Sequence, residues 1–343
     1  MNKYVALTSI IALLAASSVY FNQDQSLGVN TDIPSEIVVA FDQWKLSQKR
    51  LYSTPQEQSH RLRVFYENYK LVEEVNSKKL SYTFGLNAFS DMSSEEFSAK
   101  YLQKPVKVEN EAKGLLESSA EGSLGQGGSD FNWCGKGYCS AVRLQGNCAA
   151  GYAFAAAKSI EYPNNIAGRS YGKWLSPQEL IDCSGNFGNS GCQGGYVSNS
   201  ITYAMSYGLN FDANYPYTDR QGPCKGTSGL FKPANYFKVN QDLNSFKNIL
   251  DKTPFSVGVD ARTFQNYRQG VFYGDGCSSS YLTHFLTIIG YGVTVSGESY
   301  WRLENSWGTS WGMNGYMFLS ANYNGNTNVC GILNVGVADV MTN

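Results

Sequence analysis

Apolar and polar positions change their spacing several times along the chain, and each change predicts an element. Tyr4 to Ala15 is a mostly apolar run of about 12 residues, short of the ~20 that a membrane-spanning helix needs. From Pro34 to about Leu102 the chain is charged, with Leu62, Phe65, Tyr69 and Val72 spaced three to four apart, which predicts one buried face of an amphipathic helix. Between about Lys107 and Ser129 apolar residues give way to Glu, Ser and Gly, and the pattern of a packed element is lost. Gly151 to Ile160 is rich in alanine (Ala153, Ala155, Ala156, Ala157), a helix on propensity. The run Phe285 to Ile289 predicts a buried strand, and a lone histidine, His284, stands just before it.

The 343 residues, 42% apolar and 16% charged, suffice for a full core and one or two domains. A formal charge of -1 without a basic run argues against nucleic acid or an anionic membrane surface as the main partner. Lys3 before the first apolar run, and Ala15-Ala16-Ser17-Ser18 after it, give the pattern of a signal peptide over residues 1–18; a buried N-terminal helix is the alternative. The expected location is a lysosome-like lumen or the outside of the cell. Eight cysteines, all after Trp133, are most simply read as four disulfides of unspecified pairing.

Several motifs sharpen this picture. Glu57, Arg61, Phe65, Asn68, Val72 and Asn76 are followed by Gly85, Asn87, Phe89 and Asp91. Their spacing resembles the E-R-F-N-I-N helix and the G-x-N-x-F-x-D segment of cathepsin L-like propeptides. Gln145-Gly146-Asn147-Cys148-Ala149-Ala150-Gly151-Tyr152-Ala153-Phe154 resembles the nucleophile segment Q-G-x-C-G-S-C-W-A-F of papain-like cysteine proteases. Aligned without gaps, Gly151 takes the nucleophile's place, at a helix N-terminus whose dipole would lower a thiol's pKa. A glycine has no atom with which to attack a carbonyl, and no Ser or Thr lies between Cys148 and Phe154 to replace it.

The resemblance implies roles for other residues. His284 stands at the general base, Asn305 at the group that orients it, and Gln145 at the side chain of the oxyanion hole. Trp307, in Asn305-Ser306-Trp307-Gly308, would cover the His–Asn bond from water. Gly195 and Tyr196, after Cys192, resemble the cleft wall that pairs with an extended substrate. Phe285 replaces a small residue at the floor of the main specificity pocket and should fill it. The implied disulfides are Cys148–Cys192, Cys183–Cys224 and Cys277–Cys330, which leaves Cys134 and Cys139 to pair with each other and no free thiol.

The expected fold is therefore α+β and papain-like: a helical left domain and a β-barrel-like right domain, preceded by a helical propeptide. The propeptide would span 19–128, end in a Gly/Ser-rich linker and lie backwards along the cleft, with the mature domain at 129–343. Two functions stand against each other. One is a non-catalytic pseudoprotease, a monomer binding its own propeptide and extended peptides or proteins in the cleft. The other is an active thiol endopeptidase using an unforeseen nucleophile. A storage or structural role would make His284 and Asn305 mere survivors. Neither a cofactor nor a metal is expected.

Overall fold

The computed structural model describes residues 33–108, 130–170, 172–226 and 228–340. The expected signal peptide at 1–18 and the Gly/Ser-rich linker at 122–129 lie outside the described residues. The chain divides into two compact units, Met1–Glu67 and Asn68–Asn343.

In the first unit, helix α1 (Ser35–Ser47) buries Ile37, Phe41 and Trp44. Helix α2 (Pro55–Ser77) starts behind Thr54, whose hydroxyl accepts from the Glu57 N–H, while Glu57 accepts the Ser53 N–H. Phe65 packs edge-on against Phe41 at 5.3 Å and lies near Trp44 at 5.4 Å, and Tyr52 stacks on Phe41. Such aromatic pairs add to plain area burial.

Helix α2 continues into the second unit, and there its buried face departs from the expected one. Val72 is buried, but Tyr69 is only half-buried and Asn68 is the residue turned inward. The reason is hydrogen bonding: the Asn68 amide donates to the Ser90 and Met92 carbonyls at 3.0 and 2.9 Å and accepts from Asn266 at 3.1 Å. Asn76 clamps the backbone of Phe84 in both directions. Strand β1 (Tyr82–Phe84) and helix α3 (Ser94–Tyr101) follow. A capping box between Ser93 and Glu96 starts α3 by satisfying two exposed N–H groups.

The remainder of the second unit has a helical part and a sheet. Helices α4 (Gly151–Ile166), α5 (Pro177–Cys183) and α6 (Val197–Tyr207) form the first. Every residue of α4 from Gly151 to Asn165 is buried, and polar side chains among them, Lys158, Glu161 and Asn164, are paired inside the fold. The sheet gathers β1, β3 (Phe131–Asn132), β4 (Asn235–Lys238), β5 (Phe255–Val259), β6 (Tyr267–Phe272), β8 (His284–Val293), β9 (Ser299–Glu304), β10 (Tyr316–Ser320) and β11 (Gly336–Val340). Its order is β1-β6-β10-β9-β8-β5-β11-β4, with β3 added to β8. A second small sheet pairs β2 (Val106–Lys107) with β7 (Tyr281–Leu282). Helix α7 (Leu243–Leu250) packs Phe246 into the sheet's core. Gly290 is required where β3 crosses β8, because a Cβ there would collide with the Phe131 carbonyl.

Four disulfides tie the helical part and the loops: Cys134–Cys139, Cys148–Cys192, Cys183–Cys224 and Cys277–Cys330. The last three are the pairs the resemblance implied and Cys134–Cys139 is the pair they leave over, so none of the eight cysteines is free. Among the described residues, no helix is long and apolar enough to cross a membrane.

Candidate active-site cleft

Three elements converge on one point. Strand β8 begins at His284, β9 ends at Glu304 just before Asn305, and the two run antiparallel with Thr287 opposite Glu304. The pairing brings His284 Nε2 to 2.9 Å from Asn305 Oδ1. That oxygen also accepts the Ser306 N–H at 2.7 Å, which fixes the amide's orientation. A carbonyl oxygen can only accept, so the imidazole proton sits on Nε2 and the lone pair on Nδ1. Burial holds the imidazole down to about 4, against a smaller upward pull from Asn305, so the ring is neutral through mildly acidic pH.

Trp307 stacks on the ring at 4.9 Å and is fully buried, and its Nε1 and the Asn305 Nδ2 have no hydrogen-bond partner among the described residues. Two propeptide rings hold Trp307 from the edge, Phe97 at 5.0 Å and Phe89 at 6.0 Å.

Helix α4 starts at Gly151, and its first position faces the imidazole. A Cβ built on Gly151 would come under 3.0 Å from His284 Nδ1 and Cε1, and 3.3 Å from the Phe285 carbonyl oxygen. The basic nitrogen thus points at a residue that has only hydrogen to offer. Tyr152, next on the helix, is buried and donates to the Gly191 carbonyl at 3.0 Å.

Gln145 completes the constellation from the loop before α4. Its backbone N–H donates to the Ser306 carbonyl at 2.7 Å, and its Oε1 accepts from Ser306 Oγ at 2.6 Å. The amide N–H groups are thereby turned toward the cleft. They donate to the Cys148 carbonyl at 2.8 Å and to the carbonyl of Tyr101, at the end of α3, at 2.9 Å.

The segment after α3 crosses the site as an extended chain. Past Tyr101, the Gln103 N–H donates to the Thr283 carbonyl at 3.0 Å, and Gln103 Oε1 accepts the Gly195 N–H at 3.2 Å. A Cβ on Gly194 would strike Gln103, so this glycine permits the close approach. Beyond it, β2 adds to β7 with Val106 opposite Leu282, and the Val108 N–H donates to the Ser280 carbonyl at 3.0 Å. Farther up the propeptide, Asn87 donates to the Gln265 carbonyl at 2.8 Å, and Gln265 donates back to the Phe89 and Met92 carbonyls.

Gly195 is backed by Asn189, whose Oδ1 accepts the Tyr196 N–H at 2.8 Å. Tyr196 is partly exposed and faces Phe285 edge-on at 6.4 Å. The Phe285 ring is buried, with Cε1 within 3.3 Å of a Cβ placed on Gly258. It fills the space that a small residue after His284 would leave open.

Gln103 and Ser306 were not assigned by sequence reasoning. Ser306 stood inside a motif without a role, and Gln103 belongs to no motif. The Cys134–Cys139 pair lies near Glu304, but the disulfide removes both thiolates that a metal ion would need.

A helix N-terminus set against a strand-borne His–Asn pair, with a glutamine amide alongside, defines the cysteine-protease class of papain-like folds. The chain belongs to the papain family of cysteine proteases, which matches residues 128–340; the cathepsin propeptide inhibitor domain matches residues 41–97. A cathepsin L-like proteinase of Fasciola hepatica is 33% identical over 318 residues, covering 89% of this chain and 92% of that protein. Chymopapain of Carica papaya is 32% identical, covering 96% and 94%. Digestive procathepsin L 3 of the Tenebrio molitor larval midgut superposes with a TM-score of 0.79 at 30% identity, covering 90% of this chain and 100% of that one. A stem bromelain precursor also superposes with a TM-score of 0.79, at 29% identity and the same coverage.

Proposed function

We propose that this chain is a pseudoprotease: a cathepsin L-like protein made as a secretory zymogen that binds extended peptide or protein segments in its cleft without cutting them. One observation carries the reading. The base at His284 Nδ1 faces Gly151, and all eight cysteines are bound in disulfides, so no thiol is available to begin covalent catalysis. Its first ligand is its own propeptide, whose Tyr101 carbonyl accepts from the Gln145 amide and whose Gln103 accepts from Gly195. These are the groups an extended peptide would use, so a peptide and the propeptide compete for one cleft. We assign residues 1–18 to a signal peptide and place the protein in a lysosome-like compartment or outside the cell.

A second reading, an active thiol endopeptidase, draws on the retained His284–Asn305 pair and Gln145. The test is hydrolysis of a fluorogenic dipeptide at mildly acidic pH by the protein freed of its propeptide, beside its Gly151→Cys variant, with and without an epoxide thiol inhibitor. Silence in the native protein and inhibitor-sensitive turnover in the variant are the expected pair. Inhibitor-sensitive turnover by the native protein would overturn the pseudoprotease reading.

A further inference from the structure

Away from the cleft, Tyr273 follows β6, and Tyr323 precedes a tight turn after β10, where the Tyr323 and Asn326 backbones bond in both directions. Their rings stack face to face with centroids 4.4 Å apart and 11° between the planes. Two other tyrosine pairs are in ring contact among the described residues. Tyr82 meets Tyr273 edge-on at 5.7 Å, and Tyr203 and Tyr207, one turn apart on α6, are tilted at 5.3 Å. Tyr82 and Tyr203 are both 3% exposed, out of reach of an agent in solution, and their phenols donate to Asp275 and Glu179. Tyr323, by contrast, is 37% exposed on its turn, and Tyr273 against it is half-buried. The closest and most nearly parallel of the three pairs is thus also one with an accessible ring and a partner in direct contact.

The Tyr273 phenol donates to the Glu298 carboxylate. Partial burial pushes that carboxyl up, but hydrogen bonds from Tyr273, Ser81, Ser296 and Thr294 outweigh it and hold the group below its usual value, so it is ionised near neutrality. A phenol that can pass its proton to a carboxylate gives up an electron more easily, because the neutral phenoxyl radical forms without a charged radical cation. We propose that Tyr273 and Tyr323 are an oxidative modification site, where a one-electron oxidant of phenols, a peroxidase with hydrogen peroxide, joins the two rings as dityrosine. Each ring loses one electron and its phenolic proton, Tyr273 to Glu298 and Tyr323 to water. The two radicals pair in one carbon–carbon bond between positions ortho to the oxygens, and the two hydrogens displaced from those carbons restore the phenols. Hydrogen peroxide takes up two electrons and two protons and leaves as two waters. The stack supplies the alignment that two separate tyrosines would have to find by collision. The new bond ties the turn after β10 to the end of β6, the strand that pairs with β1, and it is independent of the cleft and of position 151.

The test is treatment of the full-length protein with a haem peroxidase and equimolar hydrogen peroxide at neutral pH. The monomer is then isolated by size exclusion, its disulfides are reduced, and its digest is mapped by mass spectrometry. The expected product is a pair of peptides, one holding Tyr273 and the other Tyr323, joined with the loss of two hydrogens, together with dityrosine fluorescence in the monomer. Tyr323→Phe keeps the stacked ring and removes only an exposed hydroxyl, so it should stay folded by thermal melt and lose that fluorescence. Tyr207→Phe should leave it unchanged. The proposal is overturned if the monomer gains no dityrosine, if the cross-link maps to Tyr203 and Tyr207 or forms only between copies of the chain, or if Tyr323→Phe keeps the signal.

Discussion

The imidazole of His284 occupies the space into which a side chain at Gly151 would project, since a Cβ there would stand under 3.0 Å from its Nδ1 and Cε1. The ring is not loose: Asn305 holds its Nε2 at 2.9 Å and Trp307 stacks on its face. Restoring a thiol therefore asks more of the site than adding one sulfur. The ring must retreat while keeping its bond to Asn305.

Gly151→Cys alone is expected to give peptidase activity well below that of a complete catalytic set, which is worth up to on the order of 10⁶ in turnover in serine proteases. If Phe285, which is buried, fills the specificity pocket as proposed from its place after His284, its ring is a second obstacle. Gly151→Cys with Phe285→Ala should therefore exceed the single variant in kcat/KM, chiefly for substrates with a bulky residue beside the scissile bond. Equal activity of the two variants would show that Phe285 does not restrict the cleft.

The grip of the propeptide can be divided between polar and aromatic contacts. Gln103→Ala removes the acceptor for the Gly195 N–H, a single hydrogen bond worth about 0.5–1.5 kcal/mol, and should weaken propeptide binding no more than about tenfold. Phe97→Ala removes a fully buried ring from the edge of Trp307 and should cost about 3–5 kcal/mol. Calorimetric titration of separately produced propeptides into the mature domain measures both. A loss from Gln103→Ala as large as that from Phe97→Ala would contradict this ordering.

Much of this site was legible in the sequence because its chemistry is carried by short local patterns. Gln145, Gly151, His284, Asn305 and Trp307 each sit in a motif whose neighbours fix the backbone around them. The signals failed where a residue's partner comes from a distant element. Asn68 displaces Tyr69 from the buried face of α2 because the Ser90 and Met92 carbonyls need donors, which apolar periodicity cannot register. Gln103 has no local signature, since its role exists only once the tail meets Gly195. The ammonium of Lys158, inside an alanine-rich helix, is buried beside two carboxylates, one of them on another element.

His284 makes stability depend on pH. Its folded-state pKa of about 4 lies below its ordinary 6.5, so the unfolded chain binds more protons between these values. Stability should be level with respect to this group above about pH 6.5 and fall as pH drops toward 4, by up to about 3 kcal/mol at 1.36 kcal/mol per pK unit. His284→Gln should flatten that part of the curve in denaturant titrations at pH 4.5, 5.5 and 7. An unchanged slope would mean that the imidazole protonates without leaving its buried seat.

The buried charges behind the site give the sharpest stability test. Lys158 on α4 lies 3.4 Å from Glu161 and 3.2 Å from Glu304, with all three side chains almost fully buried. Ser140 and Tyr162 donate to Glu161 and Glu304 respectively, and burial raises the Glu304 carboxyl despite the nearby ammonium. Removing one partner of a buried ionic cluster costs about 3–5 kcal/mol, because the remaining charge is stranded. Lys158→Met strands Glu304, whose carboxyl then rises further above its unfolded value. The folded protein binds an extra proton at Glu304, so the defect should be largest near pH 8 and shrink as pH falls through that raised pKa. Adding Glu304→Gln should recover part of the loss at pH 8 and little at pH 5. Chemical denaturation of the single and double variants at both pH values decides it, and a defect that does not change with pH would show that Lys158 acts through packing rather than charge.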